Sequence, residues 1–78
     1  MVVNVGKLSK LTKPGDVVVV PGKVLGTGLL EHEVTIGGYS FSASARDKII
    51  KAGGKAISLE KLAQTYPEGK EVKLIVDY

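Results

Sequence analysis

No cysteine and no tryptophan occur among the 78 residues, and histidine, methionine, asparagine and glutamine appear once each. Without cysteine there is neither a disulfide framework nor a thiolate metal site, which fits a reducing interior. The lone histidine, His32, leaves no set of three or four ligands for zinc, so no metal and no metal cofactor is expected. Scarcity of Asn, Gln and Met is common in heat-adapted proteins. The apolar runs are far too short to cross a bilayer, and no secretory signal pattern opens the chain.

What the chain does have is apolar content. Hydrophobic residues make up 44% of it, too many for a disordered tail, and the length fits one small domain over residues 1–78. A chain this short buries only about 60% of its unfolded surface, so its stability should be modest. The formal net charge is +3. Residues 1–28 hold Lys7, Lys10, Lys13 and Lys23 against Asp16 alone, whereas seven cations balance seven carboxylates in the remainder. The excess therefore sits entirely in the first third. A polyanion-facing surface would show this asymmetry, and so would a solvated lysine face.

The pattern along the chain predicts alternating strands and helices. Val2 and Val3 read as a short strand, and Asn4 as the cap of a helix with Leu8 and Leu11 on one side. After a turn at Pro14-Gly15, the β-branched run Val17 to Val20 suits a strand buried on both faces, stopped by Pro21-Gly22. Lys23 to Gly28 reads as a glycine-punctuated loop. Glu33 to Ile36 alternates as a strand does, with Gly37-Gly38 as a turn or bulge before Tyr39 and Phe41. Ser42 or Ser44 caps the next helix, with Ala45, Ile49 and Ala52 on one stripe, Ser44 and Asp47 at capping-box spacing, and Gly53-Gly54 as its stop. Ala56 and Ile57 form a short strand. Ser58 then caps a helix over Leu59, Leu62, Ala63 and Tyr66, and Val72, Leu74 and Val76 alternate in a last strand. Helix, proline–glycine turn and aliphatic strand thus recur near both ends as a shared building unit. The expected class is α/β, one small domain with a mixed, partly parallel sheet and short helices.

Catalytic chemistry runs short of parts. His32 lies between Glu31 and Glu33, and no spacing brings a serine such as Ser40 and an orienting carboxylate onto it. Gly26-Thr27-Gly28 starts like a dinucleotide fingerprint, but Glu31 stands where the last glycine belongs and would repel a pyrophosphate. Gly22-Lys23 is similar to a phosphate loop, yet Val24 replaces the magnesium-binding Ser or Thr, and Val17 the earlier glycine. No enzyme, no small-molecule substrate and no nucleotide cofactor is expected. Gly26, Thr27 and Gly28 would still allow close backbone approach to a phosphate; a simple tight turn is the other reading. The aromatics Phe41, Tyr39, Tyr66 and Tyr78 do not interleave with basic residues, so RNA would be met through phosphate and shape, with Phe41 and Tyr66 in the core.

From Lys23 onward a longer pattern emerges: Lys23, Val24, Leu25, Gly26, Gly28, Leu30, Val34, Ile36, Phe41, Ser42, Ala45, Ile49 and Gly53, in order and with compatible gaps. It resembles the signature of large-subunit ribosomal proteins of the L-fifteen and L-eighteen-e group. Val3-Asn4-Val5, Lys7-Leu8 and Gly15-Asp16-Val17 through Pro21-Gly22-Lys23 resemble its archaeal and eukaryotic L-eighteen-e branch. The resemblance implies an irregular superhelix of strand–strand–helix units, a structural role in cytoplasmic ribosomes, and contact with large-subunit ribosomal RNA and neighbouring ribosomal proteins. A protein-interaction module reusing the same domain is the alternative. Members of the group usually carry a basic N-terminal extension threaded among RNA helices. This chain starts almost at the globular part, so weaker RNA binding than with an extension is expected. Lys7, Lys10, Lys13 and Lys23, with the 26–28 loop, are the candidate RNA-contacting residues. Four phosphate contacts would give a log–log salt slope of roughly −3.

Overall fold

Val2–Asn4 (β1) leads directly into the helix Val5–Leu11 (α1), and the valine run opens a long strand, Val17–Leu25 (β2). There follow Thr35–Phe41 (β3), the helix Ala43–Lys51 (α2), Lys55–Ser58 (β4), the helix Leu59–Thr65 (α3) and Val72–Leu74 (β5). The computed structural model describes residues 1–69 and 71–75. Val76 and Tyr78, assigned above to the last strand and to the aromatic set, lie outside the described residues.

Each helix starts on a side chain that accepts from an otherwise unpaired amide. Asn4 Oδ1 accepts from Lys7 N–H at 2.8 Å, Ser42 Oγ from Ala45 N–H at 3.1 Å, and Ser58 Oγ from Lys61 N–H at 3.1 Å. Ser42, not Ser44, is thus the cap of α2. Ser42→Ala is expected to cost about 1 kcal/mol of unfolding free energy in a urea titration. An unchanged midpoint would mean that packing alone fixes the helix start. At the other end of α2, Gly53 N–H reaches Ile50 C=O and Gly54 N–H reaches Ile49 C=O, both at 2.9 Å, with Gly53 at φ +87°. This double closure is the Schellman stop.

Every strand pairing among the described residues is parallel, in the order β1-β2-β3-β4 with β5 also on β2. A strand has two hydrogen-bonding edges, and β3 occupies one edge of β2. The other edge is shared end to end, β5 lying along Val17–Val19 and β1 along Lys23–Leu25. One face of the sheet carries the core: Val3, Val18, Val20, Val24 and Ile36 pack with Val5 and Leu8 of α1, Ala45 and Ile49 of α2, and Ile75. Burying a side chain such as Leu8 contributes about 1.5–3 kcal/mol. On the opposite face α3 sets Leu62 against Gly37.

Five local expectations change. Pro21-Gly22 does not end β2. The register with β3 slips between Val20 and Lys23, and the proline falls between the stretches paired to β5 and to β1, where its missing N–H leaves no ladder bond unmade. The loop accordingly begins at Gly26, not Lys23. Gly37-Gly38 lie within β3, opposite Val19 and Val20, because a Cβ on Gly37 would come within 2.6 Å of Leu62 Cδ1. Leu11 does not share the buried side of Leu8, being 45% exposed. In the last segment Leu74 is exposed and Ile75 is the buried residue.

Candidate nucleic-acid interface

Parallel neighbours need a crossover, and β2 returns to β3 through residues 26–34 without a helix. The segment lies along α1 instead, held by side chains and backbone. Gly6 N–H donates to Thr27 C=O at 3.0 Å, and Glu31 N–H donates to Ser9 Oγ at 3.1 Å. His32 Nε2 donates to Ser9 C=O at 3.1 Å and stands 3.4 Å from Thr12 Oγ1, while Leu30 packs on the core. His32 is therefore a half-buried strut between crossover and helix rather than an exposed loop residue. Glu31 and Glu33 are exposed; they precede β3 and belong to the crossover.

The crossover approaches α1 most closely at Gly28. Its φ is +90°, and a Cβ there would lie 2.7 Å from Gly6 Cα. Only two glycines fit face to face at that separation. A methyl on Gly26, which is buried, would overlap Ser44 of α2. Lys48 of α2 reaches over to the same loop, its Nζ donating to Gly26 C=O and Gly28 C=O at 2.6 Å each. Between α1 and the crossover runs an open groove of about 520 Å³, lined by Lys7, Ser9, Lys10, Gly28, Leu29 and Glu31 among others. Lys7 and Lys10, three apart on one side of the helix, are both exposed. Leu29 is 71% exposed at the rim.

The sequence pattern of the family described as "Ribosomal protein 60S L18 and 50S L18e" matches residues 2–77. The chain belongs to this family. Similar curated proteins named "Large ribosomal subunit protein eL18" come from Sulfurisphaera tokodaii, 55% identical over 73 residues (94% of this chain, 62% of the relative), and from Pyrobaculum aerophilum, 41% over 76 residues (97% and 62%). The protein of that name from Methanothermobacter thermautotrophicus is 44% identical over 73 residues (94% and 60%). The chain thus spans less than two thirds of the length of these relatives.

In this L18/L18e-family chain the signature positions read from the sequence have structural tasks. Val24, Val34, Ile36, Ala45 and Ile49 are core, Ser42 is a cap and Gly53 a helix stop. The candidate contact residues divide differently. Lys7, Lys10 and Gly28 meet at the groove. Thr27 is exposed, its carbonyl already taken by Gly6. Lys13 stands past the helix C-cap, its N–H bonded to Asp16 Oδ2 at 2.9 Å. Lys23 neighbours buried Val24 and is in register with exposed Val2 and Ser40, so strand alternation points it to the face opposite α1. Lys13 and Lys23 are not among the residues that line the groove with Lys7 and Lys10. Phe41 is half-buried under the Arg46 guanidinium, 5.8 Å from the ring centroid, and Tyr39 is 73% exposed. Lys48 carried no signal in the sequence, because its partners lie two elements away. Among the described residues no group of three His, Asp or Glu side chains could hold a metal, and no helix is long and apolar enough to cross a membrane.

Proposed function

We propose that the chain is a non-catalytic structural constituent of the large ribosomal subunit, seated on ribosomal RNA through the α1–crossover groove, beside neighbouring ribosomal proteins in the cytoplasmic ribosome. The observation that carries this reading is the placement of Lys7 and Lys10 on one exposed helix face beside the bare backbone of Gly28. The names of the relatives, large ribosomal subunit proteins, support it. Two ammonium groups a helical turn apart suit successive phosphates, and a glycine surface lets a ribose–phosphate strand come close. No aromatic lines the groove, so the contact is to phosphate, sugar and shape rather than to stacked bases.

The test is a binding titration against purified large-subunit ribosomal RNA between 50 and 300 mM salt, concentrations on the scale over which phosphate contacts are read. Two lysine–phosphate contacts give a log–log slope of roughly −1.4 to −1.8. Salt-independent binding, or none, would overturn the reading. The protein-module alternative draws on the exposed Ile50 and Leu74, 60% and 62% accessible, which suit a neighbouring protein. Binding to RNA with this slope would make such contacts an addition, not a substitute.

A further inference from the structure

We infer that Lys48 is a positioning residue for the RNA-facing groove: it turns the backbone of Gly26–Gly28 so that a polyanion can approach, without itself touching a phosphate. The inference rests on the RNA-binding reading of the groove given above.

Two of the three residues in this loop are glycines, which left alone sample many backbone conformations. In the structure all three carbonyls are engaged within the protein. Gly26 C=O and Gly28 C=O accept from the Lys48 ammonium at 2.6 Å, and Thr27 C=O, between them, accepts from Gly6 N–H at 3.0 Å. Bonds from an ionised donor are the stronger kind, and two from one ammonium to carbonyls two residues apart fix the loop in a single curve. The electrostatic consequence bears on binding. A carbonyl oxygen carries partial negative charge, so an oxygen swung outward would repel a phosphate; held by Lys48 and Gly6, these three are satisfied internally. Lys48 comes from α2, while the groove lysines come from α1, and Lys48 is not among the residues that line the groove.

The role separates from both alternatives, a direct phosphate contact and a purely structural bond. In Lys48→Met the side chain keeps its length and loses its donors. Affinity for large-subunit ribosomal RNA at fixed salt should fall about tenfold, the scale of leaving a loop to be ordered on binding. The salt slope should stay at its original value, because no phosphate contact has been removed. Amide hydrogen exchange at Thr27, Gly28 and Leu29 should accelerate. Lys51→Met is the control for charge: it removes one cation from the same helix, at a residue paired with Asp47 at 3.0 Å, and should leave affinity and loop exchange as they were. If Lys48→Met melts below the assay temperature, Lys48→Gln, which keeps a shorter donor, is read in the same way. A slope shallower by about one would show Lys48 reaching phosphate itself, and unchanged affinity with a loosened loop would place the loop outside the site. Either overturns the positioning role alone. Absence of RNA binding by the unaltered chain overturns the groove reading, while the exchange data still report whether Lys48 holds the loop.

Discussion

Gly54→Ala is expected to lower the free energy of unfolding by about 3 kcal/mol or more, the upper end of what an extra methyl costs in a packed interior. A Cβ at this position would overlap the carbonyl oxygen of Val34 and lie 2.9 Å from its nitrogen. Both are backbone atoms, so no side chain can swing aside. Val34 is itself fixed, 1% exposed, its carbonyl accepting from Lys55 N–H at 3.1 Å at the start of the β3–β4 ladder. Relief would have to come from moving β3 off β4 or from opening the α2 stop. At about 0.05–0.15 kcal/mol per residue, a domain of this length has only a few such increments to lose. Gly15→Ala is the comparison: Gly15 has a φ of +85°, which Gly54 does not share, but nothing lies within 4 Å of its added Cβ. It should cost about 1–2 kcal/mol, the left-handed backbone penalty alone. Chemical denaturation of the two variants reads the difference. A loss near zero at Gly54 would show that the contact with Val34 relaxes freely.

Reversing both groove lysines, Lys7→Glu with Lys10→Glu, should remove most RNA affinity: at least about tenfold at low salt, with the slope flattening towards zero. Two phosphate contacts are lost, and two carboxylates then face the polyanion. The fold should survive: Asn4 caps α1 through the backbone N–H of Lys7 rather than its side chain, an acidic group at position 7 in the first turn is favourable, and the opposite effect at position 10, in the last turn, is of similarly small size. The same double reversal at Lys13 and Lys23 changes net charge equally but lies outside the groove, so it should weaken binding far less. Similar losses in the two double variants would mean that net charge, not the groove, sets the affinity.

The parts of this architecture visible in the sequence are those decided within a few residues. Asn4, Ser42 and Ser58 cap their helices, Gly53-Gly54 end α2, and Val17–Val20 form a strand, because capping, left-handed glycine and β-branching act locally. What the sequence concealed depends on partners far along the chain. Pro21 reads as a stop, and it is harmless only because two strands meet beside it. Gly37-Gly38 read as a turn, and they lie in a strand because Leu62 needs the space. The candidate site follows the same division. Charge asymmetry pointed to the first third of the chain, where Lys7 and Lys10 lie, but strand alternation carried Lys23 to the other face. Lys48 belongs to the balanced two thirds, where one more lysine attracts no notice.

The shared edge of β2 also governs the order in which this domain can be completed as it is made. With parallel pairing throughout the described residues, no strand can close on its predecessor as a hairpin, so each ladder waits for a crossover to be synthesised. The Val17–Val19 edge waits longest: its partner, Val72–Leu74, lies much farther along the chain than the partner of any other described ladder. Until then a run of unpaired valine backbone remains open on the nascent chain, able to pair with any other extended strand. Such long-range closure is slow relative to local helix formation. The domain should therefore acquire protection from hydrogen exchange late and all at once, when β5 docks, rather than strand by strand.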